Sequence, residues 1–362
     1  MSKSFVVILA GGKGERFWPQ SRLRRPKQLL PIVGDEPMLV QTLARVLPVV
    51  PRENILVLTN REQHAAVRRL CPQLPKDNVV AEPVGRDSGP AVGLAAQLVA
   101  LRDPKAVFAS VHSDAAIHDA KAFQRDLRAA LTAAAKAPVI VTIGVPQTEP
   151  STAFGYIQRG EAWQSHRGRQ FYRAKRFVEK PTREVAEAFL ASGDYLWNTG
   201  IFVWSARVVL DSFARNAPEV HAGLQRIAEQ VRRGRPLTRV LAQIFPTLPK
   251  IAVDYAVLEK ADNVVVLPAT FDWDDVGSWT ALTRHFPVDA QGNLVRGTAA
   301  LEEARGNIVV SSPHHLTAIF GADDLIVVHT GDATLVAPKA RAADIKKLLA
   351  TLAARKDGKQ WL

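Results

Sequence analysis

Residues 5–31 read FVVILAGGKGERFWPQSRLRRPKQLLP. Six apolar residues run into three glycines. Six cations (Lys13, Arg16, Arg22, Arg24, Arg25 and Lys27) then surround the single carboxylate of Glu15. An apolar run without alternation, rich in β-branched residues, is the pattern of a strand covered on both faces. A glycine turn at the end of such a strand lets backbone N–H groups approach a phosphate closely, and Arg16 and Lys27 are charges suited to clamp it. Two familiar phosphate loops are excluded. Phe17 stands where a dinucleotide fingerprint needs its third glycine, and no G-x-x-x-x-G-K-[ST] occurs in the chain. A glycine turn backed by a solvated basic helix is the alternative that the loop alone leaves open.

The same strand pattern recurs in NILVLT (54–59), AVFASV (106–111) and VIVTIGV (139–145). Between these runs, 37–47, 88–101 and 119–135 carry helical periodicity, with Pro37 suited to a first turn and Asp119 to an N-cap. Alternating strands and helices predict an α/β fold: a Rossmann-like, mostly parallel mixed sheet with helices on both faces. Ligands bind such sheets beyond the carboxyl ends of the strands, where the glycine turn sits. After residue 150 the pattern becomes mixed, with strands expected near 171–179 and 197–204 and helices near 182–191 and 206–232. Short β-like runs follow residue 285, and a helix is expected over 340–356. The reading is therefore a catalytic domain over 1–285 and a small β-rich domain over 286–362, with no fixed-period repeat.

The chain has 362 residues and a formal net charge of +12. Much of that charge lies in the opening turn. RGRQFYRAKR (167–176) and RRGRPLTR (232–239) lack interleaved aromatics and read as a charged edge strand and a solvated helix end, which argues against nucleic acid. Cys71 is the single cysteine, so neither an intrachain disulfide nor a cysteine zinc site can form. FVVILA is too short to span a membrane, and the N-terminus lacks the longer apolar stretch of a signal peptide, so a cytoplasmic protein is expected.

The opening string resembles the signature of sugar-1-phosphate nucleotidyltransferases, departing only at Glu15, where a small hydroxylated residue is usual. AEPVGRDSGPA (81–91), FVEKP (177–181), WNTGIF (197–202) with VDYAVLEK (253–260), and WDDVGSW (273–279) follow in the order of the mannose-1-phosphate guanylyltransferase branch. The resemblance covers nearly the whole chain. It implies attack of a sugar 1-phosphate oxygen on the α-phosphorus of GTP, with α-D-mannose 1-phosphate as acceptor, GDP-mannose and pyrophosphate as products, and Mg²⁺ as cofactor. The attacking phosphate is already ionised, so no general base is required. Clamping charges matter most.

Residue by residue, the resemblance assigns Arg16 and Lys27 to the triphosphate, with Gly11, Gly12, Lys13 and Gly14 framing it. Asp114 in ASVHSDAAI and Asp275 in WDDVGSW are the implied metal ligands. A hard cation held partly by substrate phosphates needs only one or two protein carboxylates. The bland reading of either is a helix N-cap; Asp274 is a rival ligand, and Ala115 stands where a histidine is usual. Glu82 is the candidate reader of guanine, whose N1–H and N2–H₂ donors suit a carboxylate, with Arg86, Asp87 and Ser88 nearby. The family more often has R-N-T-A where this chain has RDSG. Glu179 and Asn198 are implied contacts to sugar hydroxyls, Lys180 to the sugar phosphate, and Gly155 to the same pocket. Phe154 and Ala153 replace a usual tyrosine and glycine, and Asp254 is a weaker candidate.

The tail is too short for the cupin-like isomerase module of some bacterial relatives, so a single activity is expected. Partners are GTP and the sugar phosphate, without nucleic acid or membrane; a homodimer is left open. Another hexose 1-phosphate or nucleotide, or a non-catalytic regulator that senses GDP-mannose, are the competing functions.

Overall fold

The computed structural model describes residues 3–362 and divides the chain into two compact units. The first holds the chain up to Gly11, Thr42–Ser113 and Ile117–Asp274. The second holds Gly12–Gln41, Asp114–Ala116 and Asp275–Leu362. Among the described residues no helix is long and apolar enough to cross a membrane.

The first unit is built on one nine-stranded sheet. Its strands are β1 (Ser4–Ala10), β2 (Ile55–Asn60), β3 (Val79–Glu82), β4 (Val107–His112), β5 (Ile140–Pro146), β6 (Gly155–His166), β7 (Arg169–Glu179), β8 (Tyr195–Ser205) and β9 (Val264–Pro268), in the order β3-β2-β1-β4-β8-β5-β9-β7-β6. Seven strands run one way and only β7 and β8 the other, so the sheet is mixed and mostly parallel as expected. The helices are α1 (Met38–Val46), which spans the division between units, α2 (His64–Leu70), α3 (Ser88–Arg102), α4 (Ala120–Lys136), α5 (Arg183–Ser192), α6 (Ala206–Asn216), α7 (Pro218–Arg232), α8 (Leu237–Ile244) and α9 (Val253–Ala256). Phe5, Val7, Leu56, Leu58 and Phe108 on one face of the sheet share a core with α3, α6, α7 and α8. Helix α4 packs on β4, β5 and β8 with buried residues outside that cluster. Asp119 caps α4, accepting from Ala122 N at 2.9 Å.

Several local expectations need correction. Strand β7 lies between β9 and β6, so the basic stretch 167–176 is not an edge. Its exposed residues alternate with covered ones on a half-covered part of the sheet. The helix expected over 206–232 is two helices, broken at Ala217. Pro218 opens the second, where its missing N–H costs nothing. Strands β3, β6 and β9 and helix α2 were not foreseen, being short or too polar to give a clear period.

The second unit contains a four-stranded sheet, β10 (Leu294–Arg296), β12 (Ile308–Val310), β14 (Leu325–His329) and β15 (Thr334–Pro338), beside a pair, β11 (Ala299–Glu302) and β13 (Thr317–Phe320). β10, β12 and β14 stack in parallel, as do β11 and β13, which makes a short β-solenoid. Leu294, Ile308 and Ile326 are successive partners in that stack and lie in one core. Asn293 and Asn307 form a ladder at the corner: Asn307 N donates to Asn293 Oδ1 at 2.9 Å, and Leu325 N to Asn307 Oδ1 at 2.8 Å. GNLV (292–295) and GNIV (306–309) are thus a repeat that the sequence reading did not see. The closing helix, α10, covers only Ile345–Ala354, because Lys339–Asp344 is 3₁₀.

Candidate active site

In the second unit the glycine turn is closed on itself. Ser21 Oγ donates to Gly14 O at 2.7 Å, and Gln28 Nε2 to Gly12 O at 2.8 Å. A Cβ placed on Gly11 or on Gly12 would meet nothing within 4 Å among the described residues, which leaves room over the backbone for a ligand. Lys27 is 5% exposed, and its ammonium donates to Asp114 Oδ2 at 3.1 Å and to the Asp275 carbonyl at 2.6 Å. Arg16 Nη1 donates to the Gly277 carbonyl at 3.3 Å. The WDDVGSW turn therefore holds both expected clamp residues. Its backbone is strained, because buried Val276 has φ +48°, a conformation that costs on the order of 1–3 kcal/mol and persists only where packing imposes it. Gly277 keeps space for the neighbouring carboxylate; a Cβ there would fall 2.7 Å from Asp275 Oδ2.

The N-cap reading of the two aspartates is excluded. The helix after Asp114 is capped by Asp119, and the 3₁₀ turn after Asp275 starts from Ser278. Among the described residues no group of three or more His, Cys, Asp and Glu is placed to hold a metal. Asp114 and Asp275 are an all-oxygen donor set, and the Asp114 side chain is 38% exposed. That fits a hard cation whose remaining ligands are water and substrate phosphate. Lys13 stands 3.7 Å from Glu15, both exposed.

In the first unit Glu82 ends β3 at 7% exposure, and burial pushes its carboxyl up to about 8. No side chain among the described residues donates to it. Its neighbours in sequence are occupied differently. Asp87, at φ +69°, caps α3 through Oδ1 to Ser88 N at 2.8 Å. Ser88 Oγ accepts from Val253 N at 2.9 Å, and Gly89 N donates to Ile251 O at 2.9 Å. A Cβ at 89 would fall 2.6 Å from that carbonyl, which explains glycine in RDSG. Arg86 donates to the Pro246 carbonyl.

The sugar candidates converge on three strands. Gly155 and Glu179 are cross-strand partners, and a Cβ at 155 would lie 2.5 Å from Glu179 Oε2 and 3.4 Å from Asn198 Cβ. Lys180, at φ +48°, donates through Nζ to Glu179 Oε1 at 2.8 Å, which raises its pKa. Asn198 Oδ1 accepts from Thr142 Oγ1 and Gly200 N, both at 3.1 Å, so its NH₂ group is what remains to offer a ligand. Asp254 joins this group: burial, then the Glu179 charge, push its carboxyl up to about 6. Phe154 stacks edgewise on Trp197 and Trp273 at 4.9 and 5.5 Å. Both indole N–H groups are buried without an acceptor among the described residues.

A family model described as "Nucleotidyl transferase" matches residues 5–292, and one described as "MannoseP isomerase/GMP-like beta-helix domain" matches 303–352. A Klebsiella pneumoniae protein named "Mannose-1-phosphate guanylyltransferase" is 37% identical over 343 residues, covering 94% of this chain and 72% of that protein. The chain belongs to the nucleotidyl transferase family, in its mannose-1-phosphate guanylyltransferase branch. A relative of the same name from Escherichia coli K12 is 34% identical, over 96% of this chain and 73% of its own. The crystal structure of a Thermus thermophilus protein described as a "mannose-1-phosphate geranyltransferase" superimposes with a TM-score of 0.84 at 34% identity, over 97% of this chain and all of that one.

Within this nucleotidyl transferase, sequence reasoning passed over Trp18, Arg22, Trp279 and Trp361, which hold the glycine turn through backbone carbonyls. The recurrence of Trp in FWP, GSW and QWL was the available signal. It also passed over the Trp197–Trp273 wall beside Phe154.

Proposed function

We propose that this chain transfers GMP from GTP to α-D-mannose 1-phosphate, giving GDP-mannose and pyrophosphate by in-line attack on the α-phosphorus. The observation that carries the reading is the Lys27 ammonium on Asp114 and on the Asp275 carbonyl. It joins three segments remote in sequence at the phosphate turn. Arg16 and Lys27 neutralise the triphosphate as the acceptor anion approaches; such clamps are worth ~10³ or more in rate. Asp114 and Asp275 hold Mg²⁺, which when bound adds positive charge beside the phosphates. Glu82 accepts from guanine N1–H and N2–H₂, which supply the donors its buried carboxylate lacks. Arg86 and Ser88 frame that wall, and Asp87 Oδ2 serves the ribose. Glu179, Asn198 and Asp254 bind sugar hydroxyls, Gly155 leaves room for them, and Lys180 neutralises the acceptor phosphate.

The names of the relatives support mannose and guanine. By sequence pattern we assign residues 1–285 to the nucleotidyltransferase domain and 286–362 to the β-rich domain, although the compact unit of the latter also takes in Gly12–Gln41, Asp114–Ala116 and the chain from Asp275, and we place the reaction in the cytoplasm. The test is pyrophosphate release with Mg²⁺ over a panel of nucleoside triphosphates crossed with hexose 1-phosphates. GTP with mannose 1-phosphate should give the highest kcat/KM. A higher value for another pair overturns the specificity, and silence with every pair, GDP-mannose still binding, makes the chain a sensor.

A further inference from the structure

The phosphate turn is fastened by the last residues of the second unit. The carbonyl of Trp361 accepts from Trp18 Nε1 at 2.7 Å and also from Arg22 Nη1. Arg22 is committed on every side: Nη2 donates to Asp332 Oδ1 at 2.8 Å and Nε to Pro19 O at 2.8 Å, and the guanidinium lies 5.5 Å from the Trp18 ring. The backbone of Arg22 pairs with Arg25 in both directions, at 3.0 and 2.9 Å, just before Pro26 and Lys27. On the other side, the Trp18 carbonyl accepts from Trp279 Nε1 at 3.2 Å, and Trp18 closes the short 3₁₀ turn that carries Arg16.

Packing secures only one side of the turn: Phe17 and Trp18 lie in a core with Trp279 and Ile345. A cleft of about 430 Å³, open to solvent along one face, lies between Trp18, Arg22 and Lys13 on one side and Leu349, Ala350 and Ala353 of α10 on the other. On that side the turn is not filled in, and the directional hydrogen bonds of Trp18 and Arg22 add to the core contacts in fixing where it stands.

We infer that the C-terminal region is a positioning device for the phosphate clamp: the Trp361 carbonyl, through Trp18 and Arg22, sets where Arg16 and Lys27 stand. The inference rests on the function proposed above. A displacement of about 1 Å in a clamp can cost as much as ~10²-fold in rate.

The test compares Trp18→Phe, which keeps the ring and loses the N–H, with deletion of residues 361–362 and with the two combined. Trp18→Phe and the deletion should each lower kcat about tenfold or more, with KM for GTP within about threefold and the GTP:ATP ratio unchanged. The combination should be no worse than the deletion alone, because both remove one shared contact. Additive losses, or a melting temperature that falls while kcat per folded molecule holds, overturn the inference. Hydrogen exchange provides an arm independent of turnover. Amides 12–28 should exchange faster in the unliganded variants while amides 306–329 do not, and unchanged exchange at 12–28 overturns the inference as well. A silent wild type defeats the proposed function but leaves this arm readable. Should the deletion fail to fold, Trp18→Phe and Asp332→Asn carry the same two readouts.

Discussion

Gly14 and Lys27 are in backbone-to-side-chain contact: a Cβ on Gly14 would fall 2.5 Å from Lys27 Cβ and 2.6 Å from Lys27 N. Gly14 also sits at φ +62°, which L side chains rarely adopt. The glycine of the turn is thus what lets Lys27, the proposed clamp, stand against the loop.

Gly14→Ala should therefore displace Lys27 and lower kcat by ~10² or more, the scale of losing an electrostatic stabiliser of the transition state. GTP over ATP preference should be unaffected. Steady-state pyrophosphate release checks it; near-normal kcat would show that Lys27 tolerates the shift.

Burial holds the Glu82 carboxyl at about 8, against an ordinary 4.5. The folded protein binds that proton more tightly than the unfolded chain. The associated stability is thus fully present below pH 4.5 and is lost as pH rises through about 8. Glu82→Gln removes the loss, so its melting temperature relative to wild type should climb between about pH 5 and pH 9. The same change should erode GTP over ATP preference by ~1–3 kcal/mol, the scale for mispaired buried polar groups. A flat difference in melting temperature would show that burial does not raise the Glu82 carboxyl, and an intact preference takes Glu82 out of the base site.

Asp275→Asn and Arg16→Ala should each lower kcat by at least ~10² with the fold retained. Asp114→Asn should in addition raise the Mg²⁺ concentration needed for half-maximal rate. A Mg²⁺ requirement identical to wild type would show that Asp114 serves only as the partner of Lys27.

On the sugar side, Lys180→Ala should reduce kcat/KM for mannose 1-phosphate roughly tenfold to a hundredfold, as for a lost charged hydrogen bond of ~1.5–3 kcal/mol. GTP binding should be spared. Gly155→Ala should act in the same direction by pushing the Glu179 carboxylate out of place. Titration of both variants with GTP and with mannose 1-phosphate separates the two effects; equal weakening of both ligands would argue for general loosening.

The strands 5–10, 54–59, 106–111 and 139–145 and the helices between them were readable because each is a long apolar segment whose period reflects its own burial. The motif order was readable for a different reason: the glycine-rich turn, WDDVGSW and the Glu-Lys-Pro stretch are short, distinctive strings that occur in the order of the family. Strands β6 and β7 were harder, since half-covered strands mix Arg, Gln and Glu with their apolar residues. The paired GNLV and GNIV corners are too short to register as a period, although the asparagine ladder they build is regular.

By itself the sequence determined the fold class and the family, because those depend on local pattern and on the order of short motifs. Only the tertiary structure decided that Gly12–Gln41 belongs to the same compact unit as the β-solenoid. Only it showed that Lys27 is the link between Asp114 and Asp275, and that Trp361 holds Trp18 and Arg22. These are hydrogen bonds to backbone carbonyls and carboxylates across separations of 87 to 343 residues. A carbonyl acceptor is the same at every position in the chain, so no residue letter marks which one a distant side chain will reach.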